Sequence, residues 1–269
     1  MLGPLLKRLL GHPLDAAIRD VNDSAVRIPA HRRLMEAKPL LREGYVHWYR
    51  EMLPAYLETE GLPGEIVEIG CGPSFLDEFI PGLIKTDSVP NPFAHRTVDA
   101  MAMDFPDRSL RAIFVLGVVH HLPDPARFLS EVDRCLVTGG RLAMVEPSHR
   151  YPVAGFPSFL LRFLDHYEHR DGAVQGWMNA GAGNMRGANI ALPWVIFERD
   201  RALFERRFPR LRLTRLRYHT AAHHFLAGGF ALRSFVPKSV VPSVFALERA
   251  LSPVMHRLGA MMTVDLVKV

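Results

Sequence analysis

Carboxylates and a histidine pair stand where apolar runs of this chain come to an end. Ile66, Val67 and Ile69 form one run, which carries Glu68 near its end and breaks into Gly70-Cys71-Gly72. A second run stops at Asp87, followed by Ser88, and Asp99-Ala100-Met101 comes next. A further run ends at Leu116-Gly117 and leads into His120-His121, and Gly139-Gly140 opens one that stops at Glu146-Pro147. Glycines at the first break let the backbone come close to a bound molecule with no Cβ in the way. An ionised carboxylate accepts two hydroxyl hydrogen bonds without donating. Histidine, with an ordinary pKa near 6.5, suits removal of a hydroxyl proton at neutral pH; His121 is the first choice for that base and His120 reads as packing.

A second polar set, Asp165, His166, Tyr167, Glu168 and His169, lies further on, with Trp177 nearby. On a helix His166 and His169 would share a face, fit for acid–base work or substrate contact. With Asp165 they could ligate a metal, but packing and capping compete and no metal is assigned. His219, His223 and His224 have no acidic companion close in sequence and read as surface or core histidines.

The elements that must position these groups alternate. Strands are expected near 65–69, 83–87, 112–117 and 140–146, with a helix near 125–136, and such alternation implies parallel strands joined by right-handed crossovers. Ligands of such sheets bind beyond the carboxyl ends of the strands, where every group of the first set falls. Before the sheet, residues 1–60 read as helices: Leu5, Leu6, Leu9 and Leu10 form an apolar stripe interrupted by Lys7 and Arg8, and Gly44 to Leu57 carries Tyr45, Trp48 and Tyr49. After Pro147 come an insertion at 148–198, a helix near 199–208, a strand near 211–218, a second insertion at 220–258 and a closing strand over the last ten residues.

At 269 residues one substantial domain is expected, and 48% hydrophobic with 23% charged residues is the balance of an ordinary folded protein. The net charge of +5 would suit an acidic partner or an anionic surface. The most basic stretch, Arg206 to Arg217, alternates as a solvated sheet edge would and has no base-stacking aromatics, so no nucleic acid is expected. Two cysteines, Cys71 and Cys135, make no disulfide framework, and no run of about 18 apolar residues or cleavable leader is seen. A cytoplasmic protein is expected, with peripheral membrane contact through the N-terminal segment as the added expectation.

Five segments in order, EIGCGPS, IKTDS, VDAMAMDFPDRSLRAI, VVHHLPDP and SEVDRCLVTGGRLAMVEP, resemble the class I S-adenosylmethionine (SAM) dependent methyltransferases, in particular their type 11 small-molecule group, over about residues 60–150. The chain departs from that pattern at Ser74, Asp104, Leu110-Arg111 and Val137-Thr138. The resemblance implies a Rossmann-like α/β fold with a mostly parallel seven-stranded sheet, helices on both faces and a lid after the fifth strand. It divides one domain into N-terminal helices (1–60), a SAM-binding core (61–147), a lid (148–198) and a C-terminal part (199–269). It implies that Glu68 and the Gly70, Cys71 and Gly72 backbone hold the methionyl end, that Asp87 with Ser88 takes the ribose, and that Asp99, Ala100 and Met101 take the adenine. Leu116 and Gly117 would flank the sulfonium, with Tyr45, Tyr167, Glu168 and Trp177 as substrate contacts. The expected activity is methylation, on oxygen, of a glycan or lipid-linked intermediate; natural-product methylation and a non-catalytic SAM-fold partner subunit are the alternatives. A dinucleotide-dependent oxidoreductase is disfavoured because Phe75 stands where the third glycine of that fingerprint belongs.

Overall fold

A computed structural model of the chain describes residues 10–16, 18–148, 168–169, 177–179 and 187–269. Seven strands form one sheet: β1 (Glu65–Ile69), β2 (Leu83–Asp87), β3 (Arg96–Thr97), β4 (Leu110–Leu116), β5 (Leu136–Pro147), β6 (Leu211–His219) and β7 (Met261–Lys268). Their order is β3-β2-β1-β4-β5-β7-β6, parallel from β3 to β5, with β7 antiparallel to both β5 and β6. The order reverses between β1 and β4, and the crevice at such a point is where open α/β sheets bind ligands.

Alternation along the strands sends side chains to two cores. Val67, Ile69, Ile113, Val115, Leu142 and Met144 pack on one face with Phe128, Leu129 and Val132 of α3 (Pro125–Cys135) and with Phe204 of α4 (Arg201–Arg207). Ile66, Ala112, Phe114, Ala143 and Val145 pack on the other with Trp48, Tyr49 and Met52 of α2 (Pro39–Leu57) and with Val241 and Val244 of α5 (Val241–Ala250). Because central strands are buried on both faces they read as continuous apolar runs, which is why the four core strands were expected close to where they lie. Pro125 at the first turn and Asp124, whose carboxylate accepts from the N–H groups of Ala126 (3.1 Å) and Arg127 (3.0 Å), start α3 directly after the histidine pair.

Before α2 lies α1 (Ser24–Ala37), capped by Asp23 and carrying Pro29 inside. Lys38, at the α1–α2 junction, is buried and donates to the carbonyls of Gly229 and Leu232 (2.7 Å), tying both helices to the second insertion. The edge strand β6 carries the arginines read as a solvated face. Arg215 and Arg217 instead each reach Glu51 of α2 at 2.5 Å, and Arg210 reaches Asp133 at 2.6 Å. Among the described residues no helix is long and apolar enough to cross a membrane.

Candidate active site

A cavity of about 720 Å³ opens over the carboxyl ends of β1, β2, β4 and β5, within the range of about 300–1,000 Å³ usual for ligand pockets. Its wall at one end is built from the turn after β1. Gly70 has φ +68°, and a Cβ there would lie 2.6 Å from Val118 Cγ2; Gly72 has φ +51° and faces open space. Both are conformations that favour glycine, and the cradle would be filled or strained by any larger residue. The Cys71 N–H donates to Thr86 O at 2.8 Å, fastening the turn to β2. Burial pushes the Cys71 thiol up, so it is no nucleophile.

Asp87, nearly buried at the end of β2, is the hub of this end. Its Oδ2 accepts from Gly72 N–H (2.9 Å) and Asn91 Nδ2 (2.7 Å), and its Oδ1 accepts from Ser88 N–H (2.8 Å). Asn91, which sequence reasoning missed, also donates to Gly72 O at 2.8 Å and so clips the loop after β2 onto the glycine turn. Asp99 is exposed at the rim, its Oδ1 accepting from Met101 N–H at 2.9 Å in an Asx turn. Ser88, Asp99, Ala100, Met101, Leu116 and Gly117 all line the cavity, as the sequence implied.

Glu68 does not line it. Its side chain lies beneath the turn, only 1% exposed, on the layer of Ser74 and Tyr49, and its Oε2 has no hydrogen-bond partner. Burial pushes its carboxyl up to about 8, against the opposing pull of Ser74 and Lys85. A group neutral at pH 7 and cut off from the cavity is no partner for a ligand ammonium, which corrects the expected pairing; strand alternation turns residue 68 away from the rim.

The histidine pair also lines the cavity. His120 Nδ1 is 2.7 Å from Glu146 Oε2, with both side chains buried, and Glu146 Oε1 accepts from Val118 and Val119 N–H at 2.8 Å each. Glu146 thus joins the end of β5 to the loop after β4. A Cβ on Gly117 would lie 3.7 Å from His120 Cε1, so the ring sits beside the residue expected to flank a sulfonium. The His121 ring lies tilted by 40° against His120, with centroids 4.1 Å apart, and lines the cavity, but burial, then His120 and Arg27, lower its pKa to about 2. The acidic partner therefore belongs to His120, the residue read as packing.

The cavity is also walled by Arg27, Ile28, His31, Tyr45, Trp48 and Phe230. Tyr45 stands where expected. Arg27, Ile28 and His31 come from α1 and Phe230 from the second insertion, neither of which offered a motif; His31 stacks on Phe230 at 3.9 Å. Trp177 is elsewhere, fully buried against Phe208 and Arg207, with Nε1 donating to Asp200 at 3.1 Å. It is a core residue outside the cavity wall, which corrects its assignment as a substrate contact. His166 and Tyr167 lie outside the described residues. Glu168 and His169 are described as a two-residue strand parallel to Ala188–Asn189, so the helical relation expected for His169 does not extend through it. His223 does have an acidic companion: its Nδ1 is 2.7 Å from Glu248 Oε2. Among the described residues no group of three or more His, Cys, Asp or Glu could hold a metal.

Residues 67–144, the stretch from the glycine turn to the last parallel strand, match the family model of a methyltransferase domain. Over that stretch the chain is similar to a methyltransferase domain. Solved structures similar to it include the S-adenosylmethionine dependent methyltransferase of Mesorhizobium loti (13% identity, covering 81% of this chain and 98% of that one, TM-score 0.44). Others are the geranyl diphosphate C-methyltransferase of Streptomyces coelicolor (14%, 81% and 78%, TM-score 0.43) and the [4+2]-cyclase SpnF (16%, 82% and 80%, TM-score 0.41). S-adenosylmethionine is the donor of the methyltransferase domain's family, and the rim fits it in all but one contact: a carboxylate at the end of β2, a glycine cradle and an apolar ledge at Ala100 and Met101 are present, while Glu68 is withdrawn.

Proposed function

We propose that this protein transfers a methyl group from SAM to a small-molecule acceptor, and that the acceptor is a hydroxyl of a glycan or lipid-linked biosynthetic intermediate. The observation carrying the reading is that one cavity is lined both by the rim residues Asp87, Asp99 and Gly117 and by Tyr45, Trp48, Phe230, His120 and His121. A cofactor end and an acceptor end in one cavity is the arrangement that direct transfer needs, since the acceptor atom must lie in line with the methyl and its leaving group. When bound, SAM supplies an electrophilic methyl. Asp87 would then hold the ribose hydroxyls, Asp99 the adenine amino group, and Leu116 and Gly117 would border the sulfonium.

His120 would take the acceptor's proton. Glu146 would keep Nδ1 protonated, which directs the lone pair to Nε2 and stabilises the imidazolium once formed. Ile28, Tyr45, Trp48 and Phe230 would exclude water and orient an acceptor with apolar surface. The division of the chain into N-terminal helices, core, lid and C-terminal part is kept in this reading, with α1 added to the acceptor wall. A natural-product acceptor is the second reading, which the same aromatic wall would also accommodate.

Titration calorimetry tests the cofactor half. Asp87→Ala removes a rim carboxylate and little core volume, and it is expected to weaken SAM binding by at least about a hundredfold while the thermal transition stays cooperative. Wild-type affinity in the variant would remove the ribose assignment, and no SAM binding by the parent chain would remove the function.

A further inference from the structure

Two stretches of the sequence are nearly free of acid. Residues 220–258 contain one acidic residue, Glu248, which is buried on His223, against four cations, Arg233, Lys238, Arg249 and Arg257. Residues 1–12 contain Lys7 and Arg8 among five leucines and no acid. The described start of the chain is stitched to the insertion: Gly11 bridges Leu232, His12 N–H donates to Ala231 O (2.9 Å), and Arg233 N–H donates to Leu10 O (2.7 Å). Leu10 to His12 are thereby fastened to the insertion.

That surface is apolar where burial would be expected. Phe235 is 71% exposed, with Leu226 (45%) and Val240 (43%) close by; Ser234 Oγ donates to Leu226 O at 3.2 Å, which puts the two segments side by side. Arg233 and Lys238, both exposed, flank Phe235. The same insertion turns His224, Phe225 and Phe230 inward to line the cavity.

We propose that this face docks on an anionic lipid bilayer, with Phe235, Leu226 and Val240 entering the interface and Arg233 and Lys238 meeting headgroup phosphates. Charge complementarity favours a bilayer over a second copy of the chain, since the charged residues flanking Phe235, Arg233 and Lys238, are both exposed cations and the insertion's own acid, Glu248, is buried on His223. The inference rests on the methyltransferase reading for one consequence: the acceptor passes from the membrane between Phe225 and Phe230 into the cavity, so it is an amphiphile with an apolar tail.

Sedimentation of the full-length chain with vesicles tests it, beside SAM calorimetry on the same preparations. Vesicles of phosphatidylcholine with 30% phosphatidylglycerol should carry down most of the protein, phosphatidylcholine alone little, and about 0.5 M salt should reverse binding. Phe235→Ser and Lys238→Glu, both at exposed positions outside the cavity, should each lower partitioning about tenfold with SAM affinity unchanged. Equal binding to both vesicle types, wild-type partitioning by both variants, or a Phe235-dependent dimer that ignores vesicles would each overturn the proposal. Vesicle binding without SAM binding would instead leave the docking face standing and remove the methyltransferase reading.

Discussion

A proton acceptor needs a lone pair of adequate basicity at the right place, and the two adjacent histidines differ on both counts. His121 is held near a pKa of 2 by burial, by His120 and by Arg27, so its lone pair is a poor base at neutral pH. His120 has a buried carboxylate 2.7 Å from Nδ1, the partner that stabilises an imidazolium. Replacing His120 by Gln should lower S-adenosylhomocysteine release about 10²–10⁴-fold with SAM affinity held within about twofold. The same change at His121 should cost less than about tenfold. Glu146→Gln, as a positioning change, should shift the pH–rate profile, since it alters the ease of protonating His120. A larger loss at His121 than at His120 would reverse the assignment. The sequence led to the pair but not to the carboxylate partner of His120, because His120 and Glu146 are 26 residues apart and only the packing of β4 against β5 brings them together.

Strands that are buried on both faces announce themselves, and elements built from pairing do not. β1, β2, β4 and β5 were readable as apolar runs, and Asp87 at the end of β2 as a rim acid, whereas β3 is two exposed residues that exist through pairing with β2. α1 was not delimited because it contains Pro29 and buries only Ile28, Leu34 and Met35. Trp177 misled because an aromatic residue in an inserted segment carries no mark of which surface it will meet. Asn91 belongs to the same class: a single amide in a loop, it makes its contribution by joining two elements. Its Nδ2 bonds Gly72 O and Asp87 Oδ2, so it fixes the distance between the glycine turn and the end of β2. Asn91→Ala should weaken SAM binding about tenfold, in keeping with about 1–2 kcal/mol for losing such bonds, with a smaller effect on melting temperature than Asp87→Ala has on binding. Calorimetry and a thermal melt on one preparation check this, and unchanged affinity would mean that the turn holds its shape without the clip.

Across the whole molecule the histidines set the response to acid. Burial lowers His31 to about 3 and His121 to about 2, depresses His219 well below its ordinary value, and lowers His47, where His223 adds to the effect. A lowered folded pKa means that the unfolded chain binds more protons, and the stability these groups contribute is complete above about pH 6.5 and lost as pH falls. Glu68, raised to about 8, and Asp265, raised to about 6, act in the opposite direction. Their contribution is complete below about pH 4 and is lost as pH rises through the folded values. Near pH 7 the two sets offset each other. Near pH 5.5 the lowered imidazoles outweigh the two carboxyls, so stability falls as the solution is acidified. Calorimetric melting at constant ionic strength should therefore peak near pH 7, fall steeply by pH 5.5 and decline gently toward pH 8.5. A melting temperature that rises on going from pH 7 to 5.5 would mean that the imidazoles are charged in the folded protein, and His120 and His121 would then carry a different division of labour in the site.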